Sequence, residues 1–490
     1  MILDLNASDA WPLEGRYQVC VCGTGPAGMT VARELAARGV RVLLLEAGGF
    51  DLSAESQDVY DGESVGPLDY YGVSSCRLRM FGGTSNHWAG RCGVFERIDF
   101  EPRDIWGLPG WPIAYDEAYR RLDDARDILD IAGQPLVPPE DPHWNDRRFR
   151  PAAAARSGPT RFGEKYRSEL ETSTRIDTLL NANVIGATLD ENGSRVSSLT
   201  VSDYRGRNFV VEADRYVVAF GAIENARFLL NVGEASGVRI GDAGGFVGRC
   251  FMEHFDIKLG RFATFDSPVW RNDEAHVFNA DEALTRSRKL GTATVNIQPG
   301  ARPSFYGRLA PLRKIANNIT CATDAFRPGG VAKRTALCRG DGVVTNIMEQ
   351  TPNRDSRVLL DKSAKDRFGN YRIALDWRMS EQDVATIAGL AEEVGKSFAA
   401  QNIARLQISS DILSGKPRPG YHCHQMGTTR MSADASDGVV DPNSKVHGVR
   451  NLYMAGSSVF STGGGINPTL TIVALSLRLG EHVATEIARA

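Results

Sequence analysis

Tyr17-Gln-Val-Cys-Val-Cys22 runs straight into Gly23-Thr-Gly25-Pro-Ala-Gly28. A helical pattern follows from Met29 to Arg38, Gly39 ends it, and a second apolar run, Val40 to Leu45, stops at Glu46. No other stretch constrains the fold as much. A buried strand, a tight turn, a helix and a parallel strand within about thirty residues make a dinucleotide-binding βαβ unit. Gly23 permits the turn, Gly25 lets main chain approach a pyrophosphate, and Gly28 lets the helix lie close to the strand. The helix N-terminus offers unpaired N–H groups and a positive dipole end to phosphates. Glu46 lies eighteen residues after Gly28, where a carboxylate can accept hydrogen bonds from ribose hydroxyls. A lone Gly-x-Gly-x-x-Gly is weak; both strands, the helix and the terminal acid in register make it specific. The bland alternative, a ligand-free glycine turn, has to explain all four at once. The motif leaves NAD and FAD both open.

A parallel unit of this kind implies an α/β domain, and 490 residues exceed one ordinary core, so a second domain is expected. The net charge of −3 gives no basic footprint for nucleic acid. No run of eighteen apolar residues suggests a membrane span. Met1 to Gly15 has neither the basic start nor the apolar core of a signal peptide. The eight cysteines are scattered without a framework, and Cys20 and Cys22 read as small core hydrophobes on a buried strand. A reducing, cytoplasmic location is the expectation, and no metal site is read.

Further along, Arg79-Met-Phe-Gly82-Gly83-Thr84-Ser85-Asn-His87-Trp88-Ala-Gly90 is a second glycine-rich loop. Tyr115 to Ile131 has helical spacing. Residues 179–186 read as a strand, Val196 to Val211 as a hairpin, and Arg215 to Phe220 as a buried strand turning at Gly221-Ala222 into a helix. Val446 to Ala455 approaches as a strand, and Pro468 opens a long apolar helix. Residues 50–75 look irregular. These patterns predict a Rossmann-like cofactor domain, interrupted by a second, α+β domain built on a β-sheet. The expected parts of the cofactor domain are 1–135, 179–255 and 421–490. Residues 136–178 form an insert, lid or substrate domain, and 256–420 the substrate-binding domain.

The last seventy residues carry His422-Cys-His424-Gln-Met-Gly427-Thr428 and Gly463-Gly-Gly-Ile-Asn467-Pro468-Thr469-Leu-Thr471. With the segments 17–49, 81–95 and 216–230, this C-terminal stretch resembles the glucose–methanol–choline (GMC) oxidoreductases, which are FAD-dependent. The resemblance is strongest to the branch of pyranose oxidase and the bacterial sugar dehydrogenases. It covers about a third of the chain but spans its length, and it leaves about 260–410 unmatched. Ala47-Gly48-Gly49 after the acid also resembles flavoproteins.

The resemblance implies that His424, three residues before Gly427-Thr428, is the catalytic base, with Asn467 as its partner. His422 shares a face with His424 in an extended segment and is expected to be structural. For Asn467 the bland alternative is a turn residue before proline. A neutral imidazole can take an alcohol proton while the cofactor accepts a hydride. The cofactor contacts implied are Gly82, Gly83, Thr84, Ser85, His87, Val184, Gly221, Ala222, Gly456, Pro468 and Thr469. His87 matches a position that carries covalent flavin in some members. The linkage stays undecided, leaning to non-covalent FAD. Met252-Glu-His254 reads as a structural junction.

The expected substrate is a secondary alcohol of a sugar, glycoside or polyol. The electron acceptor stays open between oxygen, a quinone and a redox protein. Two other readings remain. A lyase of the same fold would consume an alcohol without flavin reduction. A monooxygenase would be reduced by NADPH, although no second Gly-x-Gly-x-x-Gly is present.

Overall fold

The computed structural model describes residues 1–137, 144–152, 155–264, 269, 275–299 and 342–489. Its first unit is built from β1 (Ile2–Asp4), β2 (Tyr17–Cys22), α1 (Pro26–Ala37), β3 (Val42–Leu45), β4 (Ile176–Leu180), β5 (Ala213–Val218), α2 (Ala222–Ser236), β6 (Leu452–Met454) and α3 (Thr469–Arg489). The six strands form one parallel sheet in the order β1-β4-β3-β2-β5-β6. Helices cover such a sheet, so β2 and β3 are near-continuous apolar runs and not alternating ones.

Gly28 sits where the first helix crosses the strand. A Cβ there would lie 1.9 Å from the Gly23 carbonyl oxygen, so only glycine allows this approach. The C-terminal helix α3 packs along α1. The two ends of the chain therefore meet beside the fingerprint turn.

The second sheet is antiparallel. Its order is Ala404–Ile408, Phe255–Thr264, Gly342–Met348, Ala293–Pro299, His276–Ala280 and Phe149–Pro151. In Phe255–Thr264 the buried Phe255, Ile257 and Leu259 alternate with exposed Asp256 and Lys258, as one covered face requires. Helix Glu381–Ala400, with a Ser380/Asp383 capping box, packs on this sheet. Phe149–Pro151, from the expected insert, pairs with His276–Ala280.

Several elements differ from the sequence expectations. The single strand expected over 179–186 is two, because Asn181 takes a left-handed turn (φ 55°) between β4 and Asn183–Leu189. The helix expected over Tyr115–Ile131 breaks into Tyr115–Ala118 and Leu122–Ile128. Tyr119 turns inward at the break, where its hydroxyl meets Thr471 and accepts the Phe95 N–H. Within the stretch expected to be irregular, Gly62–Ser64 pairs in parallel with Tyr371–Asp376.

The cysteine expectation needs correction. Cys76 and Cys423 form a disulfide across 347 residues of sequence, while Cys20, Cys22, Cys92 and Cys250 are free and buried. Such bridges persist in oxidising surroundings, so cysteine usage does not point to a reducing cytoplasm. Among the described residues no helix is long and apolar enough to cross a membrane.

Candidate active site

A cavity of about 760 Å³ is lined by both ends of the chain and by Ile347 of the antiparallel sheet. It brings together Gly23, Gly25, Glu46, Gly83, Thr84, Ser85, His87, Val184, Gly221, Ala222, Gly456, His424, Asn467, Pro468 and Thr469. Of the residues expected to hold the cofactor or carry the chemistry, Gly28 and Gly82 alone do not line it. Gly28 serves the helix–strand approach. Gly82 has φ 86°, and a Cβ there would lie 2.5 Å from the Gly163 nitrogen. The Gly82 N–H donates to the Thr24 hydroxyl, which fastens the second glycine loop to the fingerprint turn.

The cradle suits a dinucleotide. A Cβ on Gly25 would meet nothing within 4 Å, whereas one on Gly83 would come 3.0 Å from the Gly25 Cα. Two bare main-chain segments thus face each other beside the N-terminus of α1, as an approaching pyrophosphate requires. Glu46 is less available than the sequence suggests. Its buried carboxylate already accepts the Thr24 N–H and hydroxyl on one oxygen and the Gly48 N–H on the other. Burial holds its pKa above the usual carboxylate value despite those donors.

Asn467 lies two residues before α3, whose first turn closes when the Ile472 N–H bonds the Pro468 carbonyl. Its Nδ2 lies 3.2 Å from His424 Nε2. On the other side of the ring, His424 Nδ1 lies 2.8 Å from Nδ1 of His254. His254 Nε2 lies 2.9 and 2.7 Å from the carbonyl oxygens of Gly463 and Gly464.

These contacts assign the protons. Carbonyl oxygens only accept, so His254 Nε2 carries hydrogen. Burial drives His254 down to about 4 and His424 well below its ordinary value, so both rings are neutral near pH 7. His254 Nδ1 is then a bare acceptor, and His424 Nδ1 must donate to it. His424 Nε2 is left without hydrogen and accepts from Asn467 Nδ2. Asn467 Oδ1 and His422 Nε2 are buried with no hydrogen-bond partner among the described residues.

The loop that carries His424 is held on several sides. Its N–H donates to Glu253 Oε1 at 2.6 Å, and the His254 N–H donates to the same oxygen at 2.9 Å. Tyr70 donates to Glu253 Oε2, and Gln425 donates to Tyr70. Cys423, at φ 61°, is tied to Cys76. Burial raises Glu253 to about 7 against these donors. His422 stacks on His424 with ring centroids 5.7 Å apart, consistent with one shared face.

His254 was expected only as a junction residue. Met252-Glu-His254 stood out in the sequence, but 170 residues separate it from His424 and no local pattern links them. Glu253, Tyr70 and Gln425 carried no signal of their own.

Residues 352–476 match the model of the GMC oxidoreductase family, and residues 16–79 match an FAD binding domain. The chain is 23% identical to 2-methyl-1,2-propanediol dehydrogenase of Mycolicibacterium austroafricanum, over 95% of each chain. It is 27% identical to C-glycoside 3-oxidase of Microbacterium trichothecenolyticum, over 83% of this chain and 75% of that one. Formate oxidase of Aspergillus oryzae shares the fold at a TM-score of 0.59 and 18% identity, over 97% of this chain and 99% of that one.

Proposed function

We propose, from the premise that the chain belongs to the GMC oxidoreductase family and is an FAD-dependent oxidoreductase, that it oxidises a secondary alcohol of a sugar, glycoside or related polyol to the ketone. The carrying observation is the relay His254–His424–Asn467, which leaves one bare imidazole nitrogen beside the cofactor cavity. The names of relatives that act on a diol and on a C-glycoside support the substrate class.

When bound, FAD supplies the hydride acceptor. Gly23, Gly25, Gly83 and the α1 N-terminus would hold its pyrophosphate. His424 Nε2 takes the hydroxyl proton. Asn467 Nδ2 turns its hydrogen bond to the alcohol oxygen, which gathers negative charge as its proton passes to His424 and gives it up as the carbinol hydride departs and the carbonyl forms. His254 Nδ1 accepts from the imidazolium that forms, and Glu253 lies under the same loop. On this reading residues 1–135, 179–255 and 421–490 bind the cofactor and 256–420 the substrate, with the strand Phe149–Pro151 of the insert 136–178 joining the latter's sheet.

Anaerobic addition of a suitable sugar bleaches the flavin in the wild type. His424→Ala slows bleaching by about 10²-fold or more; equal rates would remove His424 as the base. Repeating the reaction with air, with a quinone and with a redox protein identifies the acceptor. FAD is held without a bond to His87, so yellow colour leaves the polypeptide on denaturation; colour retained by the chain would reverse that assignment.

A further inference from the structure

Five arginines line the cavity: Arg77, Arg79, Arg91, Arg156 and Arg227. Three are committed. Arg77 and Arg227 pair with Glu224, Arg227 also with Asp366, and Arg79 donates to Asn183 and Tyr204. The cavity's acids are used up as well: Glu224 and Asp366 by those pairs, and Glu46 by Thr24 and Gly48. Arg91 and Arg156 have no carboxylate partner among the described residues and are both exposed to the cavity.

They are also directly opposite one another. Arg91-Cys92 and Ala155-Arg156 form a two-stranded antiparallel ribbon whose register pairs Arg91 with Arg156. Like charges at facing positions disfavour a strand pair. The ribbon is nonetheless clamped. Gln134 bonds both the N–H and the carbonyl of Arg156, and the Ser157 N–H donates to the Gly90 carbonyl. A fold that sets two arginines at facing positions of a ribbon lining the cavity, with no carboxylate partner among the described residues, leaves room for an external anion.

The position of the pair argues against the cofactor's phosphates as that anion. The bare main chain that suits a pyrophosphate is at Gly25 and Gly83. Burial is the main reason the His422 imidazole resists protonation; Asp256 opposes this and the nearby Arg91 charge adds to it, and His422 stacks on His424. The arginines therefore belong to the end of the cavity where the alcohol reacts. Asn467 Oδ1, buried with no hydrogen-bond partner among the described residues, adds a polar group to the same cavity, whereas His422 Nε2 lies 4.0 Å from Asp256 Oδ1.

We propose that Arg91 and Arg156 form a carboxylate-binding subsite beside His424, so that the alcohol oxidised is carried by a sugar acid such as a uronate or its glycoside. Guanidinium forks match a carboxylate in two parallel hydrogen bonds, and a facing pair fixes the ring's orientation as well as its charge. This rests on the alcohol-oxidation reading and adds the substrate's charge to it.

The test uses the FAD-loaded enzyme and two probes that differ at one carbon, methyl glucuronide and methyl glucoside. Binding is followed by perturbation of the flavin spectrum, and oxidation by anaerobic bleaching. The wild type is expected to bind the glucuronide about tenfold or more tightly than the glucoside, the range of a charge-assisted pair. Arg91→Gln/Arg156→Gln erases that preference with FAD content unchanged, and Arg91→Lys keeps part of it by keeping the charge. Three results would overturn the subsite: no preference for the glucuronide, a preference that survives the double substitution, or loss of FAD from the variant, which would give the arginines to the cofactor. Bleaching by the glucoside without tighter glucuronide binding would sink the subsite and leave the oxidation reading intact. Tight glucuronide binding with no bleaching by either sugar would do the reverse.

Discussion

His424 and His254 share one hydrogen along the line between their Nδ1 atoms, and the carbonyls of Gly463 and Gly464 decide which ring carries it. His254 thus acts on the reaction through His424, as a positioning residue. His254→Leu is expected to slow flavin reduction about tenfold to a hundredfold with little change in KM, less than removing a general base outright. His254→Asn, whose Oδ1 can still accept from His424, should recover part of the rate. A loss confined to KM, or Asn no better than Leu, would mean that the ring only fills space. Burial also sets the pH response. The base must be neutral, and its pKa lies below 6.5, so kcat/KM for flavin reduction holds as pH falls through 6.5 and declines only below it. An acid limb centred at or above 6.5 would contradict this. Stability follows the same sign for His254. Between 6.5 and about 4 the unfolded chain binds a proton that the folded chain does not, so stability falls as pH drops through that window.

At the scale of elements, the loop 422–425 matters most because it has little regular structure of its own. Beyond the two-residue strand Gly420–Tyr421, its shape comes from the Cys76 bridge, the Glu253 carboxylate and the Tyr70–Gln425 contact. Cys76→Ser/Cys423→Ser removes the covalent tie. It is expected to lower stability by about 2–5 kcal/mol and to slow flavin reduction as His424 loosens. Denaturant unfolding with stopped-flow reduction measures both, and a variant equal to wild type in each would make the bridge incidental. How the chain forms its elements was largely legible in sequence. The βαβ unit, the hairpin of Val196–Ser202 with Asn208–Val211 and the C-terminal helix all follow from period and punctuation. The break in Tyr115–Ile131 was not, because the Tyr119 hydroxyl answers to Thr471, 352 residues away.

Across the whole molecule, the fingerprint near one terminus and the His/Asn pair near the other line one cavity, and α3 packs on α1. FAD bound between them is linked to folding of both. The FAD-loaded protein is expected to melt above the stripped protein, with a Tm that rises with added FAD, by about 2.7 kcal/mol of stabilisation at one hundred times Kd. A Tm indifferent to FAD would mean that the cavity forms without regard to its ligand.

Sequence by itself determined the parallel sheet and the glycine turns, and its resemblance to a known family marked His424 and Asn467 as a candidate pair. These rest on periodicity, on backbone conformations few residues adopt, and on short motifs, all of them local. Tertiary structure alone decided which nitrogen of His424 is bare, that Cys423 is bridged, that Glu46 is already bonded, and that Arg91 faces Arg156. Each of those depends on a partner tens to hundreds of residues away, and burial makes such partners decisive by leaving every polar atom only its neighbours to bond.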